Sequence, residues 1–190
     1  MDVDTTLPAT HVVKLLVTGP MGAGSTELIA ANSQSPVVAQ DGAGGIDLGV
    51  FRIDDADGSV ELLLFGTPGE PEMSFVTDML KDDVDAVIYV VDGTDESSRV
   101  TAAEGLRAVY HGLRAPLVIA VNECVEITRA HRVAAALDAP PAAFVTPCRI
   151  ADPQSARDVV AGALDAAATR LERVVSTGWQ PPADRDPEAA

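Results

Sequence analysis

One hundred and ninety residues, 47% of them hydrophobic and few aromatic, suit one domain around a sizeable aliphatic core. Twenty-nine acidic against 13 basic residues leave a net charge of −16, which argues against nucleic acid or an anionic membrane as partner. Residues 1–10 are acidic and polar rather than leader-like, no apolar run is long enough to span a membrane, and neither Met1-Asp2 nor the C-terminal composition offers a lipidation signal, so no direct membrane anchor is expected.

Taken in order, residues 1–10 read as a flexible lead-in. Residues 11–17 are nearly continuous in apolar side chains, as a strand buried on both faces requires. The run Gly19-Pro20-Met21-Gly22-Ala23-Gly24-Ser25-Thr26 follows, then a short helix over 26–31. Residues 32–45 are polar and Gly-rich without periodicity, which predicts a mobile loop. Residues 46–53 and 60–65 flank an Asp/Gly/Ser turn signal and predict a β-hairpin.

A second Gly/Pro loop, residues 66–71, precedes a predicted helix over 72–81 and a buried strand over 84–91. Asp95 or Ser97 is placed to cap a helix running to about residue 111. A strand over 116–121, a helix over 128–137, a short strand over 142–146 and a long alanine-rich helix from Asp152 or Ser155 to residue 176 complete the pattern. Residues 177–190 are rich in Pro, Asp and Ala and read as a disordered tail. The alternation predicts an α/β domain over 11–176, a mostly parallel six-stranded sheet with one antiparallel strand and helices on both faces. Such folds bind ligands beyond the carboxyl ends of their strands. The polar, Gly-rich clusters fall mostly at those ends.

The run at Gly19 has the strand–loop–helix setting of a phosphate loop. The pattern such a loop follows is Gly, four residues, Gly, Lys, then Ser or Thr. Gly19, Gly24 and Thr26 fit it, and Ser25 stands where the lysine belongs. Glycines admit close backbone approach, and successive amides at a helix start attract anions. The missing lysine removes a charged hydrogen bond, and weakens nucleotide by roughly 10- to 150-fold. The chain has two lysines, Lys14 and Lys81. Lys14 lies five residues back along the incoming strand, about 16 Å away at roughly 3.3 Å per residue.

With these elements placed, residues 11–176 resemble a Ras-like small GTPase, more narrowly the small G-domain proteins of actinobacterial conservon operons. The most specific stretch is Leu62-Leu63-Leu64-Phe65-Gly66-Thr67-Pro68-Gly69, followed by Asp85-Ala86-Val87-Ile88-Tyr89-Val90-Val91-Asp92. The resemblance implies a P-loop G domain that binds GTP or GDP with Mg²⁺. It carries over a nucleotide site of Gly19, Pro20, Met21, Gly22, Ala23, Gly24, Ser25, Thr26, Gly69, Asn122 and Cys148, with Thr26 toward the metal. Gly66 matches that branch, where other small GTPases keep an aspartate. Four positions depart from the family pattern. Ser25 replaces the lysine, and Glu70 replaces the glutamine that orients water. No threonine occurs between Asn32 and Ile46, and Val125 replaces the guanine-reading aspartate. Pro147-Cys148-Arg149 stands for the last motif, to which Cys148 contributes its amide.

These losses predict a regulatory G-domain protein with weak or absent hydrolysis, acting through loops 32–45 and 66–81. The resemblance implies a roadblock-type partner encoded alongside, in a hetero-oligomer. Two alternatives stand beside this: an active switch that borrows a cation from its partner, and a nucleotide-independent scaffold subunit. Thr26 reads as a metal ligand or as a simple helix cap. Cys124 and Cys148 are too few for a disulfide framework or a zinc site, and suit small buried positions in a reducing cytoplasm. His11, His111 and His131 match no motif. The acids at 78, 82, 83 and 85 read as a solvated helix end rather than a metal site.

Overall fold

The computed structural model describes residues 10–34, 46–55, 58–67 and 74–176. Its elements are β1 (Thr10–Thr18), α1 (Ser25–Ala31), β2 (Asp47–Asp55), β3 (Gly58–Gly66), α2 (Ser74–Leu80) with a 3₁₀ turn at Lys81–Asp83, β4 (Ala86–Asp92), α3 (Arg99–Tyr110), β5 (Leu117–Asn122), α4 (Ile127–Ala136), β6 (Phe144–Pro147) and α5 (Pro153–Ser176). The six strands form one sheet in the order β2-β3-β1-β4-β5-β6. Every pairing is parallel except β2 with β3.

The continuous apolar runs of the central strands serve two cores at once, because successive side chains leave opposite faces of a strand. Ala86, Ile88 and Val90 of β4 join Leu28 and Ile29 of α1 and Ala156, Val159, Val160 and Ala163 of α5. Val87, Tyr89 and Val91 join Ala102, Leu106 and Val109 of α3 and Ala130 and Val133 of α4. Each fully buried Val, Leu or Ile contributes about 1.5–3 kcal/mol. Tyr89 is buried among aliphatic residues because its hydroxyl donates to the Ala102 carbonyl at 2.8 Å. Burial pushes its phenol well above the ordinary tyrosine range.

Several boundaries differ from the sequence reading for local reasons. Thr10, expected in the lead-in, already pairs with Ser59. The Asp95 carboxylate accepts from the Ser97 amide at 2.9 Å and the Ser97 hydroxyl at 2.6 Å, closing a turn of its own. The helix therefore begins later, at Arg99. These bonds, with one from the Ser98 amide at 3.3 Å, hold the Asp95 carboxyl below its usual range. Asp152 caps α5 by accepting from the Gln154 amide at 3.0 Å, with Pro153 at the first helical position. The helix expected over 72–81 ends at Leu80, and the 3₁₀ turn follows. The tail 177–190 and most of the loop 32–45 lie outside the described residues. No described helix is long and apolar enough to cross a membrane.

Candidate functional site

α1 packs on one face of the sheet, while Leu80, at the end of α2, packs against the core on the other. Neighbouring strands β1 and β3 are thus followed by helices on opposite faces, the arrangement at which open α/β sheets place a ligand crevice beyond their strand ends. The glycine loop lies at the carboxyl end of β1. Gly19, Gly22 and Gly24 have φ of 156°, 77° and 111°. The loop closes on itself through the Ala23 amide to the Pro20 carbonyl at 3.1 Å. Gly24 precedes α1, and no side chain caps the helix start. Pro20 is half-buried, while Met21 and Gly22 project outward.

Thr26 does not cap α1. It lies inside the first turn, and its hydroxyl donates to the Asp47 carboxylate at 2.7 Å. Asp47 opens β2 directly opposite Gly66. A side chain at Gly66 would place its Cβ 2.6 Å from Ile29 Cδ1 and 2.8 Å from Asp47 Cβ. The β3 end therefore has no room for a carboxylate of its own, and Asp47 supplies one from the neighbouring strand. A hydroxyl and a carboxylate oxygen this close form the start of a hard-cation site. Ser25 Oγ, in the lysine position, is buried without a hydrogen-bond partner among the described residues.

Neither lysine reaches this crevice. Lys14 Nζ pairs with Asp83 at 2.6 Å. Lys81 Nζ is held by Asp78 at 2.5 Å and the His111 carbonyl at 2.8 Å. Asp85 accepts from the Lys14 amide at 2.8 Å. Three of the four clustered acids thus have protein partners, and no metal-ligating group of three or more acids, Cys or His occurs among the described residues.

At the carboxyl end of β5, two strands from β1 on the side away from β3, one side chain ties the loops together. Asn122 Nδ2 donates to the Ala23 carbonyl at 3.0 Å. Its Oδ1 accepts from the Glu123 amide at 2.9 Å and the Ile150 amide at 3.0 Å. Asn122 thereby clasps three loops: the glycine loop, the β5–α4 turn and the β6–α5 turn. The neighbouring amides are spent in the same way. Cys148 donates to the Val121 carbonyl at 2.9 Å, Arg149 to Ser155 Oγ at 2.9 Å, and Cys124 to the Cys148 carbonyl at 3.1 Å. Val125 is 70% exposed.

Both thiols are buried and free. Cys124 packs into the core layer of α3 and α4, Cys148 into that of α1 and α5. The Cys148 thiol is pushed up to about 12 by burial, with Cys124 and Glu123 adding to the shift. A thiol so disposed is inert at neutral pH.

The structure thus gathers Gly19, Pro20, Met21, Gly22, Ala23, Gly24, Ser25 and Thr26 with Asn122 at one edge of the sheet. It commits the Cys148 amide within the protein. Gly69 and Glu70 lie outside the described residues. Asp47 escaped the sequence reading. Counting outward from the Asp55–Gly58 pair would have set it opposite Gly66, but nothing local marks it. No protein-family model matches this chain, and no curated protein is significantly similar to it.

Proposed function

We propose that this chain is a Ras-like P-loop G-domain protein of regulatory type, which acts by binding another protein and turns over nucleotide weakly or not at all. The observation that carries this reading is the place of the lysines: both are anchored on Asp78 or Asp83, away from a loop whose glycine geometry suits phosphate. The adjoining segments 32–45 and 66–73 contain no Lys or Arg at all. Backbone amides are then the phosphate ligands, without a cation on the β- and γ-phosphates. The base side adds to this: the guanine-reading carboxylate is replaced by exposed Val125, and the amides of Cys148, Arg149 and Ile150 serve the fold. The partner is the roadblock-type protein implied by the family resemblance, in a hetero-oligomer.

The test is a titration of the purified chain with GTP, GDP and ATP plus Mg²⁺, followed by calorimetry and thermal shift. A ligand that binds the native state raises its melting temperature. Weak, millimolar binding restored toward micromolar by Ser25→Lys supports the reading. Tight binding and rapid hydrolysis by the unmodified chain overturn it. If Ser25→Lys also binds nothing, the nucleotide-independent scaffold replaces it.

One observation favours a second reading, the active switch that borrows its cation from a partner. The Thr26–Asp47 pair offers two oxygen donors of the kind Mg²⁺ takes. Under that reading Asp47→Asn abolishes any Mg²⁺-dependent part of nucleotide binding, and under the first reading it changes little.

A further inference from the structure

At the pole of the sheet away from the glycine loop, a cleft of about 460 Å³ opens between the end of α3, the starts of β5 and β6, and the second half of α5. That volume falls within the roughly 300–1,000 Å³ range of small-molecule sites. Its lining inverts the charge of the chain. Acidic residues outnumber basic ones by more than two to one overall, yet the cleft is lined by Arg114 and Arg170 and by no Asp or Glu. Neither arginine has an ion-pair or hydrogen-bond partner among the described residues. Other arginines in the fold do have such uses: Arg99 pairs with Glu96, and Arg129 donates to the Gly93 carbonyl. Two like charges sharing one concavity repel each other, and an anion between them reverses the sign of that interaction.

Apart from Thr169, the rest of the lining is apolar or aromatic. Phe144 is 53% exposed and Tyr110 44% exposed, both at this cleft, above a floor of buried Ala115 and Leu117. Half-exposed aromatic rings beside guanidinium groups offer flat contact area and cation–π contact together.

We propose that this cleft binds a small organic anion made of a flat apolar body and a carboxylate. The carboxylate is held by Arg114 and Arg170, whose forked donors match it. The body lies against Phe144 and Tyr110. The site stands apart from the glycine loop and does not depend on the function proposed for it.

The probe is 2-naphthoate, titrated into the full chain and followed through its own fluorescence, with acetate as competitor. The expected result is saturable binding to one site, with acetate a far weaker competitor than the aromatic acid benzoate. Arg114→Gln with Arg170→Gln should weaken binding by about 10-fold or more, as loss of charged hydrogen bonds does. Phe144→Ala should weaken it separately. All three positions are exposed, so the melting temperature should hold, and each single arginine variant serves as a check if the double variant does not. Absence of saturable binding overturns the proposal. So does undiminished affinity in a folded double variant, or acetate competing as well as the aromatic acid.

Discussion

Asn122→Ala tests whether this asparagine serves the base of a nucleotide or the fold itself. The structure gives it three bonds, to the Ala23 carbonyl and from the Glu123 and Ile150 amides. Alanine orphans all three backbone groups at once. A neutral hydrogen bond nets about 0.5–1.5 kcal/mol, so the loss comes to about 3 kcal/mol. At this chain length that lowers the melting temperature by about 6–12 °C. Urea unfolding without nucleotide measures it directly. Asn122→Asp separates the halves of the clasp: it keeps the acceptor for the two amides but sets an anionic oxygen against the Ala23 carbonyl. It should therefore also destabilise. A stability change under about 0.5 kcal/mol in Asn122→Ala would refute the clasp, and return the residue to base reading alone.

Gly66→Asp should destabilise by about 1–3 kcal/mol, since its Cβ meets Ile29 and Asp47. Denaturant unfolding reports this, and a neutral result would mean that β2 and α1 yield easily. Ser25→Ala removes a buried hydroxyl with no partner among the described residues, so the nucleotide-free chain should be unchanged or more stable, by up to about 1 kcal/mol. A clear loss of stability would show that the hydroxyl is bonded in solution. Cys148 should resist iodoacetamide at pH 8 until the protein unfolds, and mass spectrometry of the native chain would refute this by finding quick alkylation. Because the native thiol ionises at about 12 and the unfolded one near 9.0, its contribution to stability is intact below pH 9 and is lost as pH climbs toward 12.

The order of elements was legible because its signals are local. Apolar runs such as Leu15 to Val17 and Val87 to Val91 have one use in an α/β domain, and the Gly, Pro and Asp clusters between them break the chain wherever they occur. The glycine loop was legible for the same reason. Boundaries slipped where one short side chain closed a turn first, as Asp95 does before α3. Asp47 was not legible, because its meaning comes from a contact with Thr26 that only the hairpin register and the packing of α1 create.

The same difference of scale bears on the base side of the crevice. Asn122 and Cys148 were read as ligand contacts because a motif assigns them that role. Their partners, however, lie up to 99 residues away in sequence, and together those bonds close the loops without a ligand. A motif records which atoms sit at a strand end. Whether those atoms remain free is decided by what else reaches that end. Here the Ala23 carbonyl, the Val121 carbonyl and Ser155 Oγ have taken them. A base entering this crevice would have to replace existing bonds rather than fill vacant ones. The glycine loop differs at Ser25, whose hydroxyl has no hydrogen-bond partner among the described residues. Affinity for nucleotide should therefore reside in the phosphates. The chain should discriminate GTP from ATP by no more than a few-fold, and should prefer either to the bare nucleoside.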